Sequence, residues 1–148
     1  MRQIPPPLWA LLLLAATYGF SLLPFVRDLP LLATRPIGLV VIVAALTLST
    51  TAMAQFARAK TQIMPNSPVN NSLVTGGVYA FTRNPMYLGM TLFCVGAALW
   101  FGRIPMLAAP VLMLAIANWI FIPFEEAKMR RQFGDAFDAY CARVRRWL

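Results

Sequence analysis

Two segments hold the side chains that could do chemistry. Residues 71–89 read NSLVTGGVYAFTRNPMYLG, and further along Glu125 and Glu126 stand side by side. Asn84-Pro85 has the form of a helix start, with asparagine as N-cap and proline at the first helical position. Such a start presents free backbone N–H groups at a positive dipole end, a natural seat for a carboxylate, and Arg83 adds a full charge beside it. The two glutamates can accept hydrogen bonds from an ammonium group or from ribose hydroxyls. Tyr79 and Tyr87 offer ring faces to a cation or an adenine ring. Gly76, Gly77 and Gly89 let backbone come close to a ligand. Taken singly, each has an ordinary explanation: a helix start, an interfacial anchor, an aromatic belt, a turn, or surface pairs from the glutamates to Lys128, Arg130 or Arg58. Their coincidence at one place is what carries a functional reading.

That coincidence depends on the elements that hold them. The chain has 148 residues, 59% hydrophobic and only 12% charged, where soluble domains run near 25% charged. Residues 3–26, 36–57, 84–102 and 104–124 carry no charge at all, and about 20 mostly apolar residues cross a bilayer's hydrocarbon core as a helix. An ordinary soluble enzyme, a disordered chain and a disulfide scaffold are excluded. The expected fold is all-α and integral to a membrane, a single domain over residues 1–148. Four transmembrane helices are expected near residues 7–26, 37–57, 85–101 and 105–123. Residues 61–82 are equally uncharged but contain two prolines, three asparagines and a Gly-Gly pair. So irregular a backbone belongs outside the lipid or packed against protein. A fifth span stays open, because residues 79–89 could lengthen the third. The first span reads as a retained anchor rather than a signal peptide, since only Arg2 precedes it and no small-x-small site follows.

Four spans put both termini on one side. That side collects ten basic residues, among them Arg58, Lys60 and Arg83, against Arg27, Arg35 and Arg103 on the other. The positive-inside rule therefore assigns the termini and the central loop to the cytoplasm, in an inner or plasma membrane. The net charge of +8 flanks spans and a short tail, so anionic lipid headgroups explain it better than nucleic acid. In the tail, Met129, Phe133, Phe137, Tyr140, Val144 and Trp147 recur at helical spacing. The expectation is a C-terminal amphipathic helix that lies in the interface or packs back on the bundle, with a bend at Gly134. Cys94 sits in a span and Cys141 in the tail, and neither a Cys-x-x-Cys pair nor a histidine offers a metal site.

A short turn joins the third and fourth spans, so they pack as antiparallel neighbours. Asn84-Pro85 and Glu125 then reach the same depth, with room for a pocket between them.

At these residues the sequence resembles a known family. Residues 73–89, LVTGGVYAFTRNPMYLG, followed by a hairpin, the Glu125-Glu126 pair and FGDAFDAYCARVRR at residues 133–146, are similar to the isoprenylcysteine carboxyl methyltransferases and the superfamily they share with phospholipid methyltransferases. The likeness covers residues 60–148, and the first two spans match only in being hydrophobic. It implies an S-adenosylmethionine-dependent methyltransferase without a Rossmann domain, whose cofactor sits at the cytoplasmic end of the C-terminal spans. The implied cofactor contacts are Asn71, Ser72, Leu73, Val74, Tyr79, Arg83, Asn84, Pro85, Met86, Tyr87, Glu125 and Glu126. The implied reaction is in-line displacement at a methyl carbon, with no nucleophilic residue required, and the implied acceptor is a lipophilic or lipidated molecule entering from the bilayer. Three positions depart from the pattern. Asn84 stands where many members have histidine, Phe137 replaces a tyrosine, and Phe121 occupies the place of an arginine associated with the acceptor's carboxylate. The acceptor's group, whether carboxylate, amine or thiol, is left open.

Two other classes compete with this reading. A small four-helix transporter needs an ionisable residue within a span to couple ions, and no expected span carries one. A non-catalytic membrane subunit would keep the fold and lose methyl transfer.

Overall fold

The computed structural model describes residues 4–26, 34–59 and 72–148. Regular structure among them is helical. Helix α1 (Pro6–Phe20) and helix α2 (Arg35–Arg58) are followed by a 3₁₀ turn (Gly77–Ala80) and helix α3 (Pro85–Phe101). A second 3₁₀ turn (Ile104–Leu107) leads into α4 (Ala108–Ile116), a π-helical turn (Ala117–Phe121) and α5 (Ile122–Phe133). Helix α6 (Asp135–Arg143) closes the described chain. Prolines open α1, α2 and α3, where a missing N–H is harmless and the fixed φ already suits a helix.

The runs Arg35–Arg58 and Ile104–Phe133, of 24 and 30 residues, are long and apolar enough to cross a membrane. Helices α1 and α3 have 15 and 17 residues and so reach only about 22–26 Å. The first span is expected over residues 7–26, and its helix stops at Phe20. There the Ser21 hydroxyl donates to the Tyr18 carbonyl at 2.6 Å, and the chain continues in turns. A lengthened third span is not seen, because residues 81–84 are not helical and α3 begins at Pro85. At residue 123, where the fourth span is expected to end, the helix itself continues to Phe133. Pro123 cannot donate to the carbonyl four residues back, and the π turn just before it shifts the hydrogen-bond ladder so that the helix continues.

Helices α2 and α3 pack antiparallel along a seam of small residues. Gly38, Ala45 and Ala52 are buried on α2, as are Gly89 and Gly96 on α3. A Cβ on Gly38 would come within 2.5 Å of the Trp100 backbone nitrogen, and one on Gly96 within 2.8 Å of the Ile42 nitrogen. In lipid the hydrophobic effect does not separate helix from solvent, so close backbone approach through such residues is what holds a pair together. On the other side of α3, a core of Ala10, Tyr87, Cys94, Ala109, Met113, Ala117, Phe121 and Ile122 joins α1, α3 and the α4–α5 run. Far from the candidate site, Arg103 donates to the Ser21 carbonyl (3.1 Å) and lies 5.8 Å from the Tyr18 ring centroid, tying α1 to the end of α3. Leu11, Val40, Val43, Val111 and Trp119 face outward. A helical bundle with so apolar an exterior is a membrane protein.

The tail is not one helix. Gly134, at φ 49°, separates α5 from α6, and residues 144–148 leave the helix altogether. The apolar stripe nevertheless packs as a unit: Phe137, Tyr140 and Val144 are buried against Leu73, Met129, Phe133 and Cys141. Trp147 packs instead on the main core.

Candidate functional site

The polar side chains gather where α2 ends, α3 begins and α5 leaves the π turn. A cleft there is lined by Ser72, Leu73 and Val74, by Tyr79, Arg83 and Asn84, and by Glu125 and Glu126. Its enclosed part is about 90 Å³, room for one end of a ligand. The Asn84 helix start and the glutamate pair, expected at one depth, both line this cleft.

Each wall residue is held by a traceable set of bonds. Tyr87, on the first turn of α3, stacks on Phe121 with centroids 6.0 Å apart and donates its hydroxyl to Glu125 Oε1 at 2.7 Å. It stands behind the cleft as a support, while Pro85 is buried beneath it and Met86 lies on the same turn; none of the three lines the cleft. Asn71 lies outside the described residues.

Glu126 takes a different partner set from the surface pairs that its neighbours in sequence suggest. It accepts from Arg83 Nη2 at 3.0 Å and from Arg146 Nε and Nη2 at 3.1 and 2.6 Å. Arg130 pairs with Asp138 instead, at 2.8 Å on the exposed side of α6. Arg83 and Glu126 keep only 14% and 15% of their side-chain surface, so this is a largely buried ion pair whose loss would strand a charge. Arg83 is accordingly more than a surface anchor. Its Nη1 donates to the Cys141 and Val144 carbonyls at 3.1 Å each. Its Nε–H is buried and has no acceptor among the described residues.

Asn84 occupies the N-cap position of α3, but its side chain makes no capping bond. The amide Nδ2 donates to the Arg146 carbonyl at 3.0 Å, and the Thr82 hydroxyl donates to the same oxygen at 3.1 Å. The first-turn N–H groups of α3 are therefore left without the side-chain acceptor that an N-cap asparagine usually supplies.

The opposite wall is aromatic. Tyr79 is buried, its ring 5.2 Å from Phe56 and its carbonyl accepting the Tyr140 hydroxyl at 2.7 Å. The turn before it is set by Gly77, at φ 59°, and by the Gln55 carboxamide, which donates to the Gly76 carbonyl (3.2 Å) and accepts from Val78 N–H (3.3 Å). Phe56, Met129, Phe137 and Tyr140 also line the cleft. Met129, Phe137 and Tyr140 belong to the tail's apolar stripe and could have been found by asking what the stripe covers. Nothing in the sequence singles out Phe56, one apolar residue on a long apolar helix.

Burial pushes the Tyr140 phenol up from 10.0 to about 12, against a weaker opposing pull from the Arg83 guanidinium. Burial also raises Tyr79, and the proximity of Tyr140 and Glu125 adds to it. Both phenols therefore stay protonated at any physiological pH, Tyr140 as the donor to the Tyr79 carbonyl. For Tyr140, a folded-state pKa above the unfolded one means the stability linked to its protonation is intact below pH 10 and lost as pH rises through about 12. Ultraviolet titration of the folded protein is expected to give no phenolate from these two rings near pH 10. A phenolate signal near that pH that disappears in Tyr140→Phe would contradict this.

A family model described as phospholipid methyltransferase matches residues 33–136. The chain belongs to that family. The match spans α2 to the start of α6 and takes in the cleft-lining residues as far as Met129, while Phe137 and Tyr140 lie just beyond it. Among similar proteins, this phospholipid methyltransferase family member is 32% identical over 76 residues to the protein-S-isoprenylcysteine O-methyltransferase of Schizosaccharomyces pombe, covering 49% of this chain and 30% of that one. It is 31% identical over 114 residues to protein-S-isoprenylcysteine O-methyltransferase B of Arabidopsis thaliana, covering 72% of this chain and 55% of that one. The solved structure of the eukaryotic intramembrane Ras methyltransferase ICMT matches its fold with a TM-score of 0.66 at 21% identity, over 91% of this chain and 49% of that one. The chain thus spans from about a third to about half of the length of these relatives.

Proposed function

We propose that this family member is an S-adenosylmethionine-dependent methyltransferase whose cofactor sits in the cleft at the cytoplasmic end of the bundle and whose acceptor is a lipophilic group drawn from the bilayer. The observation that carries the reading is the sharing of one cleft by a helix start, a supported glutamate, a buried arginine and an aromatic wall. The donor set suits a zwitterionic nucleoside. The acceptor-less Nε–H of Arg83 and the uncapped first turn of α3 would meet the cofactor's carboxylate. Glu125, already held on one oxygen by Tyr87, would receive its ammonium or ribose hydroxyls. The aromatic wall, with Tyr79 buried against Phe56, would receive the adenine.

When bound, S-adenosylmethionine supplies a methyl group already activated by its sulfonium, so no nucleophilic side chain is asked of the protein. The residues of this chain bind, orient and exclude water. The names of the relatives support a carboxylate on a prenylated cysteine as one acceptor. Phe121, fully buried against Tyr87, brings no charge to meet such a carboxylate, and the acceptor is therefore proposed only as a lipid-borne nucleophile.

The test is direct. Detergent-purified protein is expected to bind S-adenosylmethionine at one site by titration calorimetry. Membranes containing it are expected to transfer a labelled methyl group to a lipid or lipidated species. Absence of both binding and label would sink the proposal.

A further inference from the structure

The segment that follows α6 does more than end a helix. Residues 144–148 pack against the start of α3, and their backbone carbonyls accept hydrogen bonds from Thr82, Arg83 and Asn84. The Arg145 carbonyl accepts Arg83 N–H at 3.0 Å. The Arg146 carbonyl accepts both Thr82 and Asn84. On its other side the Arg146 guanidinium spans both oxygens of Glu126 and donates from Nη1 to Asn118 Oδ1 at 3.2 Å. The same Asn118 oxygen accepts Trp147 Nε1 at 3.2 Å. Asn118 lies in the π turn between α4 and α5, and π turns recur where a helix must re-aim side chains for a task.

We propose that residues 144–148 form a strap that builds the cleft wall, and that Arg146 is its positioning residue, acting through Glu126 and Asn118. A planar guanidinium suits this work because its fork can hold a carboxylate with two parallel bonds while a third donor reaches elsewhere. One side chain thereby fixes α5, the π turn and, through its own carbonyl, the start of α3. Arg83, Asn84 and Glu126, which line the cleft, take their places from this one residue, although Arg146 itself does not line it. The part of the inference that concerns ligand affinity rests on the methyltransferase reading, and the part that concerns wall geometry does not.

The experiment compares wild type, Arg146→Ala, Arg146→Lys and, as a control, Arg143→Ala, which alters an exposed residue of α6. Two readouts are used on the detergent-solubilised chain: hydrogen exchange at the amides of residues 82–84, and calorimetric affinity for S-adenosylmethionine. In Arg146→Ala both are expected to change, with exchange faster and affinity weaker by roughly tenfold to a hundredfold, the worth of a charge-assisted bond pair. Arg146→Lys keeps the charge but cannot span Glu126 and Asn118 together. It is expected to retain wild-type helix content yet recover only part of the affinity, a split that mere scaffolding would not give. Arg143→Ala is expected to match wild type. Unchanged exchange at residues 82–84 in Arg146→Ala overturns the strap, and faster exchange with unchanged affinity overturns the positioning role. Should Arg146→Ala fail to fold, full affinity in Arg146→Lys overturns the role equally. If wild type itself binds no S-adenosylmethionine, the methyltransferase reading fails, and exchange alone decides the strap.

Discussion

Glu125→Ala is expected to abolish measurable S-adenosylmethionine binding, a loss of at least about a hundredfold in affinity. The size of the effect follows from how the carboxylate is held. Its Oε1 receives the Tyr87 hydroxyl at 2.7 Å, and the Tyr87 ring is fixed by stacking on the fully buried Phe121. Such a group is preorganised, so a ligand that meets it pays little ordering entropy and gains nearly the whole of a charge-assisted bond. Glu125→Gln keeps the shape and the partner but removes the charge, and an intermediate loss is expected. Tyr87→Phe leaves the carboxylate in place without its support, and should weaken binding less than either. Titration calorimetry on the series, with circular dichroism to verify that each variant keeps its helices, checks the order. Equal dissociation constants for wild type and Glu125→Ala would remove this residue from the site.

The second large effect is expected far from the cleft. Gly96→Leu should separate α2 from α3 and leave little folded protein in detergent. The milder Gly96→Ala should cost about 1–3 kcal/mol, the usual penalty for forcing extra volume into a tight contact. A Cβ at residue 96 would meet the Ile42 nitrogen at 2.8 Å and the Gly38 carbonyl at 3.0 Å. Both are backbone atoms, so no side chain can rotate out of the way. Gly19, within α1, is the contrasting case, because a Cβ there meets nothing within 4 Å. Gly19→Ala should be neutral or stabilising by about 0.5–1 kcal/mol through reduced chain entropy. Thermal melting of the detergent-solubilised variants separates the two, and a Gly96→Ala midpoint equal to wild type would show that the seam has slack. Loss of the seam should also loosen the cleft, since α3 carries the site on its first turn and the seam along its length.

These expectations differ in how far the sequence foretells them. The long uncharged stretches dictated an all-helical membrane protein, because backbone in hydrocarbon must bond to itself and a helix does so without a partner strand. The chemistry of the cleft was legible for a similar reason. Asparagine before proline and paired glutamates stand at the ends of apolar spans, and a short turn between the third and fourth spans brings those ends together. Eight of the residues named from sequence line the cleft: Ser72, Leu73, Val74, Tyr79, Arg83, Asn84, Glu125 and Glu126.

Tertiary structure alone decided which partner each charge takes. Sequence spacing favours Glu126 with Arg130, four residues on along the helix. The bundle instead brings Arg83 and Arg146 to it from two distant segments. The end of α1 at Phe20 and the passage of the C-terminal helix through Pro123 depend likewise on local hydrogen-bond exchange that hydropathy does not record, whereas the bend at Gly134 was legible from the glycine itself. The strap is the clearest instance. Residues 144–148 read as a basic end to an amphipathic stripe, yet their backbone carbonyls, which no side-chain pattern encodes, hold the start of α3. Composition and periodicity report what each segment must bury. Which groups then meet across the bundle is fixed only by packing, because a hydrogen bond between residues sixty positions apart leaves no periodic trace in the chain.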